Sequence, residues 1–205
     1  MNAFLFLPSN ILPSHTLYSN KQRPFGISCA EGQGQWEDVI PVLAGKFHDF
    51  ALFVPIKDTE VPMKGIYIKG EAEAPPLLWG RFFDAQASWA GHPVAVLGKN
   101  YQHEAAWRDG KRYYTHKGVE YEVIGILGTQ EESRLNQMVL VDFRSAVRIM
   151  GINTSYVLDA KKEPDIAAVT DILKASGMAM GFGAVIFLVC TYSARRGKGG
   201  ALARP

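Results

Sequence analysis

The feature that most constrains this sequence is an uncharged stretch near its carboxyl end. Residues 175–194 form a run of 20 residues without one Asp, Glu, Lys or Arg. As an α-helix, a run of this length extends about 30 Å, which is the thickness of the hydrocarbon core of a bilayer. Basic residues follow it directly, namely Arg195, Arg196 and Lys198. The pattern therefore predicts a transmembrane helix over residues 175–194 and a short basic tail over residues 195–205.

The charges that flank this stretch predict its orientation in the cell membrane. Because basic residues concentrate on the cytoplasmic side, residues 195–205 are expected to be cytoplasmic and the residues before Lys174 extracytoplasmic. Gly177 and Gly181 have the spacing that allows two membrane helices to approach closely, so they are candidate helix-packing residues. The alternative interpretation is a soluble protein whose C-terminal helix packs in its own core.

The residues before this stretch divide into two parts. Residues 1–45 are interrupted by Pro, Ser, Asn and Gly and are predicted to be poorly ordered or extended. Residues 46–174 alternate short apolar runs with amphipathic runs, which predicts an α+β domain with a mixed or antiparallel sheet. Two local signals are the hairpin turn Lys117-Gly118 and the helix N-cap Asp142. Val96 and Val123 are predicted to be buried strand residues.

Composition and motifs argue against several functions. The chain has 205 residues and a net charge of +2, which is too small for a nucleic-acid binder. It has no phosphate-binding loop and no Gly-x-Ser-x-Gly turn, so neither ATP hydrolysis nor serine hydrolase chemistry is expected. Its five histidines have no spacing that builds a metal site. We therefore expect no catalytic residues, no cofactor, no metal and no enzyme activity of its own.

Two sets of residues are candidates for contact with other molecules. Glu131, Glu132 and Arg134 form a charged loop tip, and loops on a rigid scaffold often carry binding residues. Three tryptophans at positions 79, 89 and 107 are the second set. We expect at least two of these three indoles to pack in the core, which leaves one as an exposed contact residue.

Three segments in order carry a resemblance to a known family. They are the Gly-Arg-Phe-Phe-Asp sequence at 80–84, the Pro-Val-Ala-Val-Leu-Gly-Lys sequence at 93–99, and residues 118–127, which end in Val-Ile-Gly-Ile-Leu. Together they resemble the periplasmic core domain of MacB/FtsX-type ABC transporter permeases. The resemblance covers roughly residues 50–175 and is followed by the predicted membrane span.

The resemblance implies a transport role without catalysis. In such permeases the extracytoplasmic domain relays conformational change or contacts substrates and partner proteins, while a cytoplasmic ABC ATPase supplies the energy. It therefore implies an ATPase and the membrane as partners, leaves homodimerisation open, and implies no nucleic acid. The chain lacks the family's first membrane helix and ends soon after the predicted span, so a permease fragment is expected. The alternative function is a soluble module that binds a small molecule or a protein.

Overall fold

A computed structural model describes residues 22–30, 34–57, 59–89, 91–162 and 165–181. Their eleven strands form one sheet, in the order β11-β1-β10-β2-β3-β9-β5-β8-β7-β6, with β4 paired to β8 beside this path. The pairs β3–β9 and β5–β8 are parallel, and the other described pairs are antiparallel. The fold is therefore α+β with a mixed, mostly antiparallel sheet, as the sequence predicted.

The strands and helices have the following bounds. The strands are β1 Arg23–Ser28, β2 Phe50–Ile56, β3 Met63–Lys69, β4 Leu77–Gly80, β5 Val94–Gly98, β6 Ala106–Arg108, β7 Lys111–His116, β8 Val119–Leu127, β9 Val139–Asp142, β10 Ser155–Ala160 and β11 Ala179–Gly181. The α-helices are α1 Trp36–Lys46, α2 Ala85–Ser88, α3 Phe143–Met150 and α4 Ile166–Ala175. Short 3-10 helices span Lys99–Glu104 and Arg134–Gln137.

Both faces of the sheet are covered. On one face, Trp36 from α1, Phe143 from α3 and Tyr156 from β10 form an aromatic cluster with ring centroids 4.9 to 6.1 Å apart. On the other face, a second apolar cluster includes Phe53, Ile66, Phe82 and Phe83. Because β5 lies between these clusters, all five of its residues are buried.

Several local predictions are confirmed. Lys117 and Gly118 both have positive φ, at 48° and 76°, which is the backbone of a type I′ hairpin turn. The Asp142 side chain accepts the backbone N–H of Ser145 and so caps α3, which ends at Gly151 with φ 71°. Val96 and Val123 are buried, at 0% and 3% exposure.

The prediction for residues 1–45 is wrong where the structure describes them. Residues 23–28 form β1, which lies between β10 and β11, and residues 36–46 form α1. Phe25 and Ile27 of β1 are each 3% exposed, and Trp36 of α1 is 1% exposed. Residues 22–30 and 34–45 therefore belong to the core domain that was predicted to begin at residue 46. Residues 1–21 lie outside the described part.

The prediction of one helix over residues 175–194 is also corrected at its start. The helix α4 ends at Ala175, and Gly177 follows with φ 76°, a conformation that ends helices and suits glycine. Residues 179–181 then form β11, which pairs with β1. Residues 182–194 and the predicted basic tail lie outside the described residues. Within the described ranges, none of the helices is long and apolar enough to span a membrane.

Candidate partner-binding surface

The three family-like segments lie side by side in the structure. Residues 80–84 close β4, residues 93–99 contain β5, and residues 118–127 contain β8. The strand β8 pairs with both β4 and β5. Segments that are separated in sequence therefore form one continuous unit of the sheet.

The glycines of these segments have a packing reason. A Cβ on Gly80 would overlap the carbonyl oxygen of Ile124, and a Cβ on Gly125 would overlap the carbonyl oxygen of Arg81. Gly98 lies against the backbone of Asn136, where a Cβ would stand 2.5 Å from the carbonyl oxygen. Close backbone approach requires glycine at such places. These residues therefore build the scaffold rather than a reactive site.

An exposed aromatic surface lies beside this scaffold. The guanidinium carbon of Arg112 lies 4.6 Å from the ring centre of Trp79 and 4.8 Å from that of Trp107. Trp107 is opposite Arg112 in the β6–β7 pair, whereas Trp79 comes from β4. Both indoles remain open to solvent, at 44% and 63% exposure. We call Trp79, Trp107 and Arg112 the Trp-Arg-Trp surface.

The arginine in this surface has a group without a partner. Its Nε atom is buried, yet finds no hydrogen-bond acceptor among the residues that the structure describes. A buried donor without a protein acceptor is costly unless water or a bound molecule satisfies it. Exposed Trp and Arg are also the residue types that contribute most to protein–protein binding. The Trp-Arg-Trp surface is therefore a candidate contact site.

Ion pairs hold the opposite face of the same sheet edge. Arg108 donates two hydrogen bonds to the Glu120 carboxylate, at 3.1 and 2.6 Å, and Lys111 donates one to Glu122 at 2.8 Å. Hydrogen bonding to Arg108 lowers the pKa of Glu120, and hydrogen bonding to Glu122 raises the pKa of Lys111. These pairs join β6, β7 and β8 across the strands. They favour a fixed position for the Trp-Arg-Trp surface on the other face.

The predicted contact loop is well organised. Glu131, Glu132 and Arg134 are all exposed. Beneath them, the buried Asn136 side chain accepts the backbone N–H of Thr129 at 3.1 Å and donates to the carbonyl oxygen of Glu131 at 3.0 Å. The loop therefore presents its charges from a fixed backbone, and its role in partner contact stays a prediction.

The other predicted residues have different places. Gly177 follows the end of α4 and Gly181 lies in β11, so the two do not share a helix face as was predicted. The expectation that at least two of the three tryptophans pack in the core is wrong, because Trp79 and Trp107 are exposed and Trp89 is half-buried. Trp36, which was not singled out, is the buried one.

The contacts of Arg112 with the two indoles were not predicted from the sequence. The signal was present in the hairpin pairing: once the short turn between β6 and β7 is recognised, Trp107 and Arg112 face each other across the pair. The contact of Arg112 with Trp79 has no such local signal, since it depends on β4 lying beside β8.

Comparisons with known proteins find similar solved structures but no matching protein family. No protein-family model and no curated protein matches the sequence. Solved structures of extracytoplasmic domains of ABC-type transporters do resemble it, and this is the class that the sequence motifs resemble.

Two of these solved structures are similar to this chain over most of their length. The periplasmic region of MacB from Actinobacillus actinomycetemcomitans is 13% identical, with a TM-score of 0.42 over 82% of this chain and 92% of that one. The extracellular domain of the noncanonic ABC-type transporter YknZ from Gram-positive bacteria is 11% identical, with a TM-score of 0.41 over 78% of this chain and 100% of that one. Likeness at this level concerns the backbone and does not transfer a function.

Proposed function

We propose that the chain is an extracytoplasmic domain of an ABC transporter-type permease, without catalysis of its own. The observation that carries this proposal is the arrangement of the three family-like segments, which form one unit of β4, β5 and β8. The role is contact with a partner protein or relay of conformational change. The cytoplasmic ATPase, the membrane and homodimerisation are part of the same proposal.

The Trp-Arg-Trp surface is our proposed place of partner contact. Its support is the exposure of two indoles around a guanidinium whose Nε has no acceptor in the described part of the chain. The loop with Glu131, Glu132 and Arg134 is a second proposed contact. The 3-10 helix Arg134–Gln137 in this loop packs against the 3-10 helix Lys99–Glu104, which leads into β6.

Topology tests the membrane part of the proposal. In a chain with Cys29 and Cys190 changed to Ser, single cysteines are introduced as Val42→Cys, an exposed position in α1, and as Gly199→Cys. A membrane-impermeant thiol reagent on intact cells should label the first and not the second. Labelling of the second cysteine alone would show the opposite orientation. Recovery of the chain in the soluble fraction would show that it is not anchored in a membrane.

Site-specific crosslinking tests the partner contact. A photoreactive amino acid at position 107 should crosslink the full chain to a partner protein or to a second copy in cells. The matched control is the same amino acid at Val42, which is an apolar residue with 51% exposure on another element. Equal crosslinking at the two positions would mean that the Trp-Arg-Trp surface has no special role.

A soluble binding module is the second candidate function. One observation favours it: α4 packs in the core through Val169, Ile172 and Leu173, and the chain then returns to the sheet as β11. A full chain that stays soluble and monodisperse without detergent would support this candidate over the permease domain.

A further inference from the structure

A cavity of about 350 Å³ lies between α1, α4 and the sheet. Its volume is at the lower end of the roughly 300–1,000 Å³ of ligand sites. The deep walls are apolar and closed, since Trp36, Leu43 and Leu173 are each no more than 3% exposed. Access is therefore from the exposed rim.

The rim of the cavity is basic. Lys46, Lys161 and Lys162 line it and are exposed, and none of their ammonium groups has a hydrogen-bond or ion-pair partner among the described residues. Two carboxylates, Asp49 and Asp165, also line it.

Both of these carboxylates already accept hydrogen bonds from the backbone. Asp49 accepts the N–H of Glu71 at 3.2 Å, and Asp165 accepts that of Ala168 at 3.1 Å. His48 is the remaining polar side chain of the rim. The three lysines exceed the two carboxylates by one formal positive charge, and they lack partners within the described part of the chain whereas the carboxylates already have backbone donors, so the rim favours an anionic group.

The register of the sheet places this rim at a particular end of the domain. The strand β2 begins at Phe50, opposite Ala160 at the end of β10, and β1 begins at Arg23, opposite Leu158. The strand β11 is antiparallel to β1 and therefore runs toward this end. Residues 182–205 continue from there. If the chain enters a bilayer after residue 181, the rim lies on the side of the domain that is nearest to it.

We propose that this cavity binds a single-chain anionic amphiphile. Its carboxylate or phosphate lies among Lys46, Lys161 and Lys162, and its acyl chain extends along α1 toward Trp36. The 11 residues of α1 provide a wall about 15 Å long. An apolar interior with a few charged groups at the opening matches a molecule that is apolar over its length and charged at one end. This proposal depends on the proposed function in one respect only, namely whether the ligand comes from a bilayer or from free solution.

Bromine quenching of Trp36 tests this binding. All four tryptophans lie within the described residues, at positions 36, 79, 89 and 107, so fluorescence reports on this domain alone. The full chain is held in nanodiscs of zwitterionic lipid, or in buffer if it is soluble, and 12-bromododecanoate is added. The bromine at the end of the acyl chain should quench the fluorescence of Trp36. This quenching is obtained as the difference in fluorescence quenching between the parent and Trp36→Phe. If Trp36→Phe does not fold, the Trp79→Phe/Trp107→Phe chain removes the exposed indoles instead.

Charge is tested on the ligand and on the protein. The cationic analogue 12-bromododecyltrimethylammonium should quench far less than the carboxylate. The double variant Lys161→Glu/Lys162→Glu should weaken 12-bromododecanoate binding by about tenfold or more. The matched control Lys57→Glu/Lys174→Glu makes the same change in net charge at residues that do not line the cavity and should change binding less than about twofold. Equal quenching by both ligands, or equal binding by both variants, would overturn the proposal.

The source of the ligand is tested separately. Nanodiscs that contain lysophosphatidylglycerol with a brominated acyl chain replace the free fatty acid. Quenching by the lysophospholipid alone supports a bilayer source, quenching by the free carboxylate alone supports a source in solution, and quenching by both supports a cavity that accepts either, whereas quenching by neither overturns the proposal. Because the free carboxylate is tested whether or not the chain is anchored, failure of the membrane proposal and failure of this one give different results.

Discussion

Gly80 of β4 and Gly125 of β8 are directly paired, and neither position has room for a side chain. A Cβ on Gly80 would stand 2.8 Å from the Cα of Gly125 and would overlap the carbonyl oxygen of Ile124. Gly80 also has a φ of 75°, which side chains disfavour. This contact joins β4 to β8, the two strands that carry the first and third family-like segments.

Alanine at either glycine should destabilise the domain. We predict that Gly80→Ala and Gly125→Ala each lower the free energy of unfolding by about 1–3 kcal/mol, because the added methyl group forces the backbones apart. Gly45→Ala is the control: this helical glycine has no atom within 4 Å of the new Cβ, so the change should stabilise by up to about 1 kcal/mol. Denaturant unfolding measures all three, and an unchanged midpoint for Gly80→Ala would contradict the close approach.

Asp142 connects a helix to the centre of the sheet. Its buried carboxylate accepts the N–H of Ser145 at 2.8 Å and that of Val94 at 3.1 Å. We predict that Asp142→Ala costs about 2–4 kcal/mol of unfolding free energy, from the lost cap and the unsatisfied Val94 N–H. Asp84→Ala is the control, since the exposed Asp84 caps α2 and pairs with Arg81 at the surface, and its loss should cost about 1 kcal/mol. Equal losses would show that the Val94 bond contributes nothing.

Two buried tyrosines should respond oppositely to loss of the hydroxyl. Tyr156 accepts a hydrogen bond from Nε1 of Trp36 at 3.0 Å and donates to the carbonyl oxygen of Ile152 at 2.9 Å. Tyr121 is equally buried, but its hydroxyl has no hydrogen-bond partner in the described ranges. We predict that Tyr156→Phe costs about 1–3 kcal/mol, whereas Tyr121→Phe is neutral or stabilising. Calorimetry measures the free energy of unfolding of both variants. A larger loss for Tyr121→Phe would show that the Tyr121 hydroxyl, and not that of Tyr156, makes the stabilising hydrogen bond.

Stability should rise with pH in a window set by Lys64. Burial lowers the pKa of Lys64 to about 8. In the unfolded chain the pKa is about 10.4, so between these values the unfolded state binds more protons and the free energy of unfolding increases with pH. Above pH 10 the buried tyrosines Tyr67 and Tyr121 oppose this trend, because burial raises their pKa. Unfolding midpoints at pH 7.5 and 9.5 should differ in the parent and converge in Lys64→Met. If the unfolding midpoint still rises with pH in Lys64→Met, another titratable group is responsible for the rise.

The Trp-Arg-Trp surface should contribute little to stability. A cation–π contact at an exposed site stabilises by about 0.5–1 kcal/mol. A double-mutant cycle with Trp107→Ala and Arg112→Met should give a coupling energy in this range, while each single variant folds normally. If Arg112→Met folds normally but loses the position-107 crosslink, or Trp107→Ala folds normally but loses a crosslink placed at position 79, the surface is used for binding. A loss of several kcal/mol would instead assign these residues to the core.

The parts of the fold that sequence reasoning found are those with a local physical cause. The turn Lys117-Gly118 needs two residues with positive φ, and Asp142 needs only the N–H three residues later. Both causes lie within a few residues, so the sequence pattern contains them.

The parts that it missed depend on distant strands. Phe25 and Ile27 are buried because β10 and β11 flank β1, and nothing in the polar residues around them indicates this. Residues 175–181 were predicted to be helical because they carry no charge, although Gly177 is a residue type that often ends a helix, as it does here. Exposure of Trp79 and Trp107 depends on which elements cover the sheet edge, and this too is set by tertiary contacts.

The place of β1 between the last two strands has a consequence for how the chain folds. Its partners β10 and β11 follow at the far end of the domain, so β1 cannot complete its pairing until nearly all of the domain has been synthesised. Contacts of such long range slow folding, and unpaired strands are prone to aggregate meanwhile. During synthesis, Phe25 and Ile27 therefore remain exposed longer than the hairpin strands β7 and β8, which pair as soon as they emerge. A nascent chain that stops before residue 155 would have every element of the family-like unit and still lack both partners of its first strand.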